Sequence, residues 1–250
     1  VRPATASRYF WDMSSFEWAV PAVDLLYENG VVHGTGNGTY SPGQQITRGD
    51  YVLMLCQAFQ LSGQGKAGFW DVPRDSYYAQ AVMTAQALGI TGGYPDGGFH
   101  PGSPVTRQDA AVFRMKAMQA DGWSLGSGNE QMLSRFRDES SISDYARSAM
   151  AVMVEYGVLS GTADQTISPQ KAITRAEMAV MLATRMTGVL SSPAPMAASP
   201  MMSAATRLTE WPSVWGIRSP ASRMISNKMM TSSISAKSGR GVAFSAAAIL

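Results

Sequence analysis

Apolar positions in this chain fall into short helical stripes, and the stripes come in pairs that recur three times. Trp18, Ala22, Val23, Leu25 and Leu26 share one face; so do Tyr77, Ala81, Val82, Ala85 and Leu88, and then Tyr145, Ala149, Met150, Val152 and Met153. Twelve residues after each leading aromatic stands a glycine, Gly30, Gly89 or Gly157, where a left-handed helix cap belongs. Pro21 falls in the first turn of the first helix, where a missing amide costs little. The partner stripes are Tyr51, Val52, Leu55 and Phe59; Ala110, Phe113, Met115 and Ala117; and Met178, Met181 and Leu182. Each partner stripe follows a Thr-Arg box: Thr47-Arg48-Gly49-Asp50, Thr106-Arg107-Gln108-Asp109 and Thr174-Arg175-Ala176-Glu177.

Thr three residues before Asp or Glu is a capping box, so every copy starts a helix. The Arg at the first helical position opposes the positive end of the dipole and is not a choice for stability alone. Phe10-Trp11-Asp12, Phe69-Trp70-Asp71 and Phe136-Arg137-Asp138 open the copies. Four residues past each capping glycine come Gly34, Gly93 and Gly161, then Tyr40, Phe99 or Ile167, then Pro42, Pro101 or Pro169. Asn37-Gly38 and Asp96-Gly97-Gly98 predict tight turns between the helices. Asp164-Gln165-Thr166 lacks the glycine, so the third turn is expected to differ or to be strained.

The pattern predicts an all-α fold of three helix-turn-helix repeats, each too small to bury its own face. The boundaries are an N-terminal flank over 1–9, repeats over 10–60, 69–119 and 136–190, and flexible surface links over 61–68 and 120–135. Residues 191–250, rich in Ser, Met and Ala, carry no repeat and read as a disordered linker or tail, or as a shifted reading frame.

Charge separates the same two regions. Through Leu190 there are 14 Lys and Arg against 17 Asp and Glu; beyond it there are 6 against 1. A repeat region without basic surplus is a poor partner for nucleic acid. The lone cysteine, Cys56, excludes a disulfide framework and falls on the buried side of the second helix as a small core residue. His33 and His100 lie at different places in their repeats and read as surface residues; no metal or cofactor is implied. No apolar run reaches the length of a membrane span. A chain beginning at Val1 leaves any secretion signal outside the sequence, and its presence undecided.

Taken together, Phe-x-Asp, the aromatic before a helix, the paired glycines, the aromatic two before Pro and the Thr-Arg box resemble the S-layer homology repeat, three times over, from Phe10 to Leu190. The resemblance implies a trefoil-like, pseudo-threefold bundle around the Thr-Arg helices. It also implies non-covalent attachment of secreted bacterial surface proteins to a secondary cell wall polymer, often one bearing pyruvate ketals. A guanidinium fork suits such a carboxylate, helix-start amides favour the same anion, and an aromatic face suits a sugar ring. The resemblance thus places ligand binding on Arg48, Arg107 and Arg175, with Trp18, Tyr77 and Tyr145 as groove walls. Thr47, Asp50, Thr106, Asp109, Thr174 and Glu177 are caps, and Asp12, Asp71 and Asp138 tie the opening loops.

Two alternatives stay open for these side chains. Each Arg either meets a ligand or pairs with Asp12, Asp71 or Asp138, and each aromatic is either groove wall or core. Asp for Glu in the first two boxes and Tyr for Trp in the last two copies depart from the family pattern. Three functions fit: a wall-anchoring module, the anchoring part of a secreted glycan-active enzyme whose catalytic module lies outside this chain, or a self-assembling subunit whose grooves bind its neighbours.

Overall fold

The computed structural model describes residues 6–65 and 68–186; the expected tail over 191–250 lies outside them. Six α-helices carry the fold: α1 (Val20–Glu28), α2 (Arg48–Ala58), α3 (Ala79–Ala87), α4 (Arg107–Ala120), α5 (Asp144–Glu155) and α6 (Arg175–Met186). The chain is all-α, and extended backbone among the described residues forms only isolated bridges.

Helix ends follow the residues that predicted them. Gly30 adopts φ 69°, its N–H donates to the Tyr27 carbonyl, and the Val31 N–H reaches the Leu26 carbonyl at 2.9 Å. That double bond at a left-handed residue is a Schellman cap, and Gly89 and Gly157 repeat it. Gly34 has another role: a Cβ there would lie 2.8 Å from the Phe10 ring and 2.6 Å from the Thr39 carbonyl oxygen. The opening Phe therefore packs on bare backbone.

The sequence repeat is not the packing unit. α3 of the second repeat packs on α2 of the first, α5 of the third on α4 of the second, and α1 of the first on α6 of the third. Each repeat lends its first helix to the preceding one, in cyclic order. The strands of chain before the Thr-Arg helices close the same cycle. Ile46 N–H donates to the Ile173 carbonyl at 3.1 Å, Val105 N–H to Ile46 at 3.1 Å, and Ile173 N–H to Val105 at 3.0 Å. All three side chains are buried, so no water competes for these bonds.

Three residues just before the prolines are left-handed without being glycine: Ser41 (φ 55°), His100 (φ 55°) and Ser168 (φ 51°). Such a backbone costs on the order of 1 kcal/mol and needs external restraint. The restraint is the opening aspartate. Asp12 accepts from Tyr40 and Ser41 N–H at 2.8 and 2.7 Å, Asp71 from Phe99 and His100 at 2.8 and 2.7 Å, and Asp138 from Ile167 and Ser168 at 2.8 and 2.7 Å. The bend so held turns the proline carbonyl toward the neighbouring repeat.

One expectation needs correction. The 120–135 link is not an open connection: Glu130–Arg135 winds into a short 3-10 helix against α5, Leu133 is fully buried, and Trp123, Leu125 and Met132 pack on the core. Its four apolar side chains outweigh the flexibility of its glycines. Of the two alternatives for the third turn, strain is the one found: the turn keeps the form of the second on a left-handed residue that is not glycine. Thr162 N–H donates to the Thr166 carbonyl as Tyr94 donates to Gly98, with Gln165 forced to φ 57° where Gly97 has φ 79°.

Cys56 is buried, and its thiol lies 3.6 Å from the Ala81 carbonyl oxygen. Arg114, seven residues after Arg107 in α4, is fully buried where its repeat counterparts are Leu55 and Leu182. Its guanidinium donates to the Met181 carbonyl and stands 5.7 Å over the Phe59 ring.

Candidate functional site

The joints between repeats are built by the first turns of α2, α4 and α6. The Arg48 and Gly49 amides donate to the Ser103 and Pro101 carbonyls of the second repeat, both at 2.9 Å. Arg107 and Gln108 bond Lys171 and Pro169 of the third; Arg175 and Ala176 bond Gln44 and Pro42 of the first. The next amide in each copy caps on Thr47, Thr106 or Thr174 at 3.2 Å. No first-turn amide is left over for an external anion, contrary to the expectation from the helix starts. The neighbouring repeat has taken that place.

The guanidinium groups follow their backbones across the joints, and all three Arg side chains are buried. None pairs with Asp12, Asp71 or Asp138, whose oxygens are committed to the loop amides. Arg48 Nε donates to the Phe99 carbonyl at 3.1 Å, beneath the rings of Tyr94, Phe99 and Phe113 at 4.7 to 5.0 Å. Its Nη1 lies 3.7 Å from Asp109. Arg175 Nε donates to the Tyr40 carbonyl at 2.8 Å and Nη2 to the His33 carbonyl at 2.9 Å, with the Tyr40 ring at 4.6 Å. Arg107 differs: Nη2 meets Glu177 Oε1 at 2.6 Å, and its buried Nε has no partner.

The ionic partner of Arg48 and of Arg107 is therefore the capping acid of the following box, which spacing alone could not reveal. Box acids and leading aromatics also combine. Tyr77 Oη donates to Asp50 Oδ1 at 2.6 Å, while Asp50 Oδ2 accepts from the Thr47 hydroxyl at 2.8 Å. Tyr145 Oη donates to Asp109 Oδ1 at 2.8 Å and accepts from Gln108 Nε2 at 2.8 Å. Hydrogen bonding to Asp50 pushes the Tyr77 phenol up to about 12; burial, then Asp109, does the same for Tyr145. Glu177 has the full capping geometry, with Oε2 accepting from Thr174 N–H at 2.8 Å.

Tyr77 and Tyr145 are 70% and 61% exposed, so they are surface groups and not core. Trp18 is half-buried and packs on the core, 6.3 Å from the Phe16 ring. In repeat register, each joint matches an Arg from one repeat with the box acid of the next and the leading aromatic of the one after. Arg48, Asp109 and Tyr145 form the first set; Arg175, Asp50 and Tyr77 form another. The third holds Arg107 and Glu177, with Trp18 at the place the tyrosines occupy. His100 is half-exposed, 2.8 Å from Asp96, and His33 is exposed. Trp11 and Trp70 are exposed, their indole N–H groups tied to the Asn37 and Asp96 carbonyls.

Fold and joints together define a closed module of three helical repeats with a guanidinium at each joint. The profile of the S-layer homology domain matches residues 10–52, 68–111 and 135–179, more than half of the chain, and the chain belongs to that family. Domains of this family are non-catalytic modules that anchor proteins to the cell wall. The chain is 29% identical over 179 residues to the "Surface-layer 125 kDa protein" of Lysinibacillus sphaericus, a match covering 70% of this chain and 15% of that protein. It is 28% identical over 185 residues to an "Endoglucanase" of Bacillus sp. (strain KSM-635), covering 73% and 19%, and 25% identical over 155 residues to a "Cellulosome-anchoring protein" of Acetivibrio thermocellus, covering 60% and 34%. The matches thus span about a third of these relatives at most. No described helix is long and apolar enough to cross a membrane.

Proposed function

We propose that this chain anchors the protein carrying it to a secondary cell wall polysaccharide, and that it does so through carboxylates on the polymer held in the Arg-containing joints of a trefoil-like ring. The observation that supports this most is the burial of a guanidinium at every joint beside aromatic surface. A buried cation at a helix start opposes the dipole and costs desolvation, which a ligand carboxylate would offset by a paired, charge-assisted contact. Exposed Tyr77 and Tyr145 offer ring faces to a sugar, and pyruvate ketals supply a carboxylate of the right geometry. The carrier belongs at the bacterial cell surface, where surface-layer subunits are its neighbours. That relatives include an endoglucanase favours a second reading for the carrier: a secreted glycan-active enzyme that uses these repeats as its wall anchor.

The test is co-sedimentation of the full chain with purified sacculi before and after extraction of the secondary polymer. Binding that depends on the polymer supports anchoring. A chain that stays in solution with both preparations overturns it and turns the search to protein partners.

A further inference from the structure

The three joints are chemically unequal, and the inequality arises where this chain departs from its own third box. Asp50 and Asp109 are short acids drawn onto the hydroxyls of Tyr77 and Tyr145 at 2.6 and 2.8 Å. Glu177 is one methylene longer, and the aromatic in its set, Trp18, has no hydroxyl to offer it. Glu177 instead reaches Arg107 at 2.6 Å, both side chains being about nine-tenths buried. Arg107 Nε loses, in exchange, the carbonyl bond that Arg48 and Arg175 keep. Arg48 has a carboxylate at 3.7 Å, close enough to compete but too far to hydrogen-bond. Arg175 has no carboxylate within 4 Å among the described residues, although it is 93% buried. Two carbonyl bonds fix its plane over Tyr40, while Nη1 makes no hydrogen bond and is not sealed from solvent.

We infer that the Arg175 joint is the principal carboxylate-binding site of the ring and that the Arg107 joint is blocked by its own Glu177, with the hydroxyl of Tyr77 serving to hold Asp50 off Arg175. An incoming carboxylate at Arg175 meets a preorganised donor pair, Nη1 and the second Nη2 hydrogen, and displaces no internal acid. At Arg107 the same ligand must first expel Glu177. The ligand class is a sugar bearing a carboxylate. The inference rests on the anchoring reading and assigns it to one joint.

The experiment is nitrogen-15 NMR of the arginine Nε–H groups of the full chain, assigned through single Arg→Lys variants. It is titrated with methyl 4,6-O-(1-carboxyethylidene)-β-D-glucopyranoside and, as a neutral control, with its methyl ester. The expected result is a saturable shift at Arg175 with the acid and none with the ester, while Arg107 stays unmoved. Arg175→Lys weakens binding by roughly tenfold or more, the loss of a charge-assisted bond. Glu177→Gln, which folds around the same cap, brings Arg107 into the titration as a second site. A shift at Arg107 in the unsubstituted chain, at concentrations that leave Arg175 unmoved, overturns the assignment and leaves the groove reading standing. No shift at any guanidinium, from protein that still sediments with polymer-bearing sacculi, rejects both.

Discussion

Arg175 and Tyr40 bond each other twice: Nε of Arg175 donates to the Tyr40 carbonyl at 2.8 Å, and the Tyr40 hydroxyl donates back to the Arg175 carbonyl at 3.1 Å. The two residues stand 135 positions apart, and their exchange joins the last repeat to the first. A row of repeats becomes a ring at this contact. Because Tyr40 is fully buried, its hydroxyl has no water to turn to. Tyr40→Phe should therefore cost about 1 kcal/mol, measurable by urea denaturation, since one neutral buried bond is lost and the carbonyl keeps its helix partner. A change of only a few tenths would mean that the hydroxyl contributes nothing to closure.

The opening aspartates act on strained backbone rather than on arginine. Asp71→Asn leaves one amide of the Phe99 and His100 pair without its acceptor, and the left-handed His100 without its restraint. The expected loss is about 2 kcal/mol, the range of a charge-assisted bond, seen as a lower urea midpoint with an unchanged slope. An unchanged midpoint would contradict the role given to Asp12, Asp71 and Asp138 together.

How far the sequence reaches is visible in these same residues. The caps, the Schellman glycines and all six helices follow from local rules, since each depends on residues a few positions apart. Asp12, Asp71 and Asp138 were legible as loop ties for a similar reason: their motif opens every copy, about 30 residues before the proline. Their partners were not, because which amide faces a carboxylate depends on a backbone bend that no residue type announces at Ser41 or Ser168. The cyclic lending of helices was equally hidden. Packing between α2 and α3 crosses the repeat boundary, and a repeat alignment places boundaries by similarity and not by contact. Arg114 went unnoticed because a single charge in an apolar stripe looks like register noise. The acid beside Arg48 or Arg107 lies 61 or 70 residues further on, in the next box, and only packing between repeats brings it there.

The third turn carries a correctable strain. Gln165 holds φ 57° where the first two repeats have Gly38 and Gly97. Gln165→Gly should raise stability by about 0.5–1 kcal/mol, because relief of the left-handed side chain exceeds the added entropy of the unfolded chain. The check is the shift in urea midpoint. A decrease would show that the side chain supports the turn.

Burial raises the Cys56 thiol from 9 to about 11. The folded state holds this proton more tightly than the unfolded one, so the contribution is complete below about pH 9 and is lost as pH rises through 11. Stability measured by urea at pH 8 and pH 10 should fall more for the unsubstituted chain than for Cys56→Ala. Equal falls would mean the thiol is not desolvated in solution.

Whether a guanidinium at a joint takes a carboxylate of the wall polymer is read out by calorimetric titration. The full chain is titrated with extracted secondary polymer, intact and after mild acid has cleaved its ketals. Binding to the intact polymer is expected to weaken by roughly tenfold or more once the carboxylates are gone. Equal affinity for both preparations would contradict it, leaving the aromatic surface of Tyr77 and Tyr145 to carry recognition without the arginines.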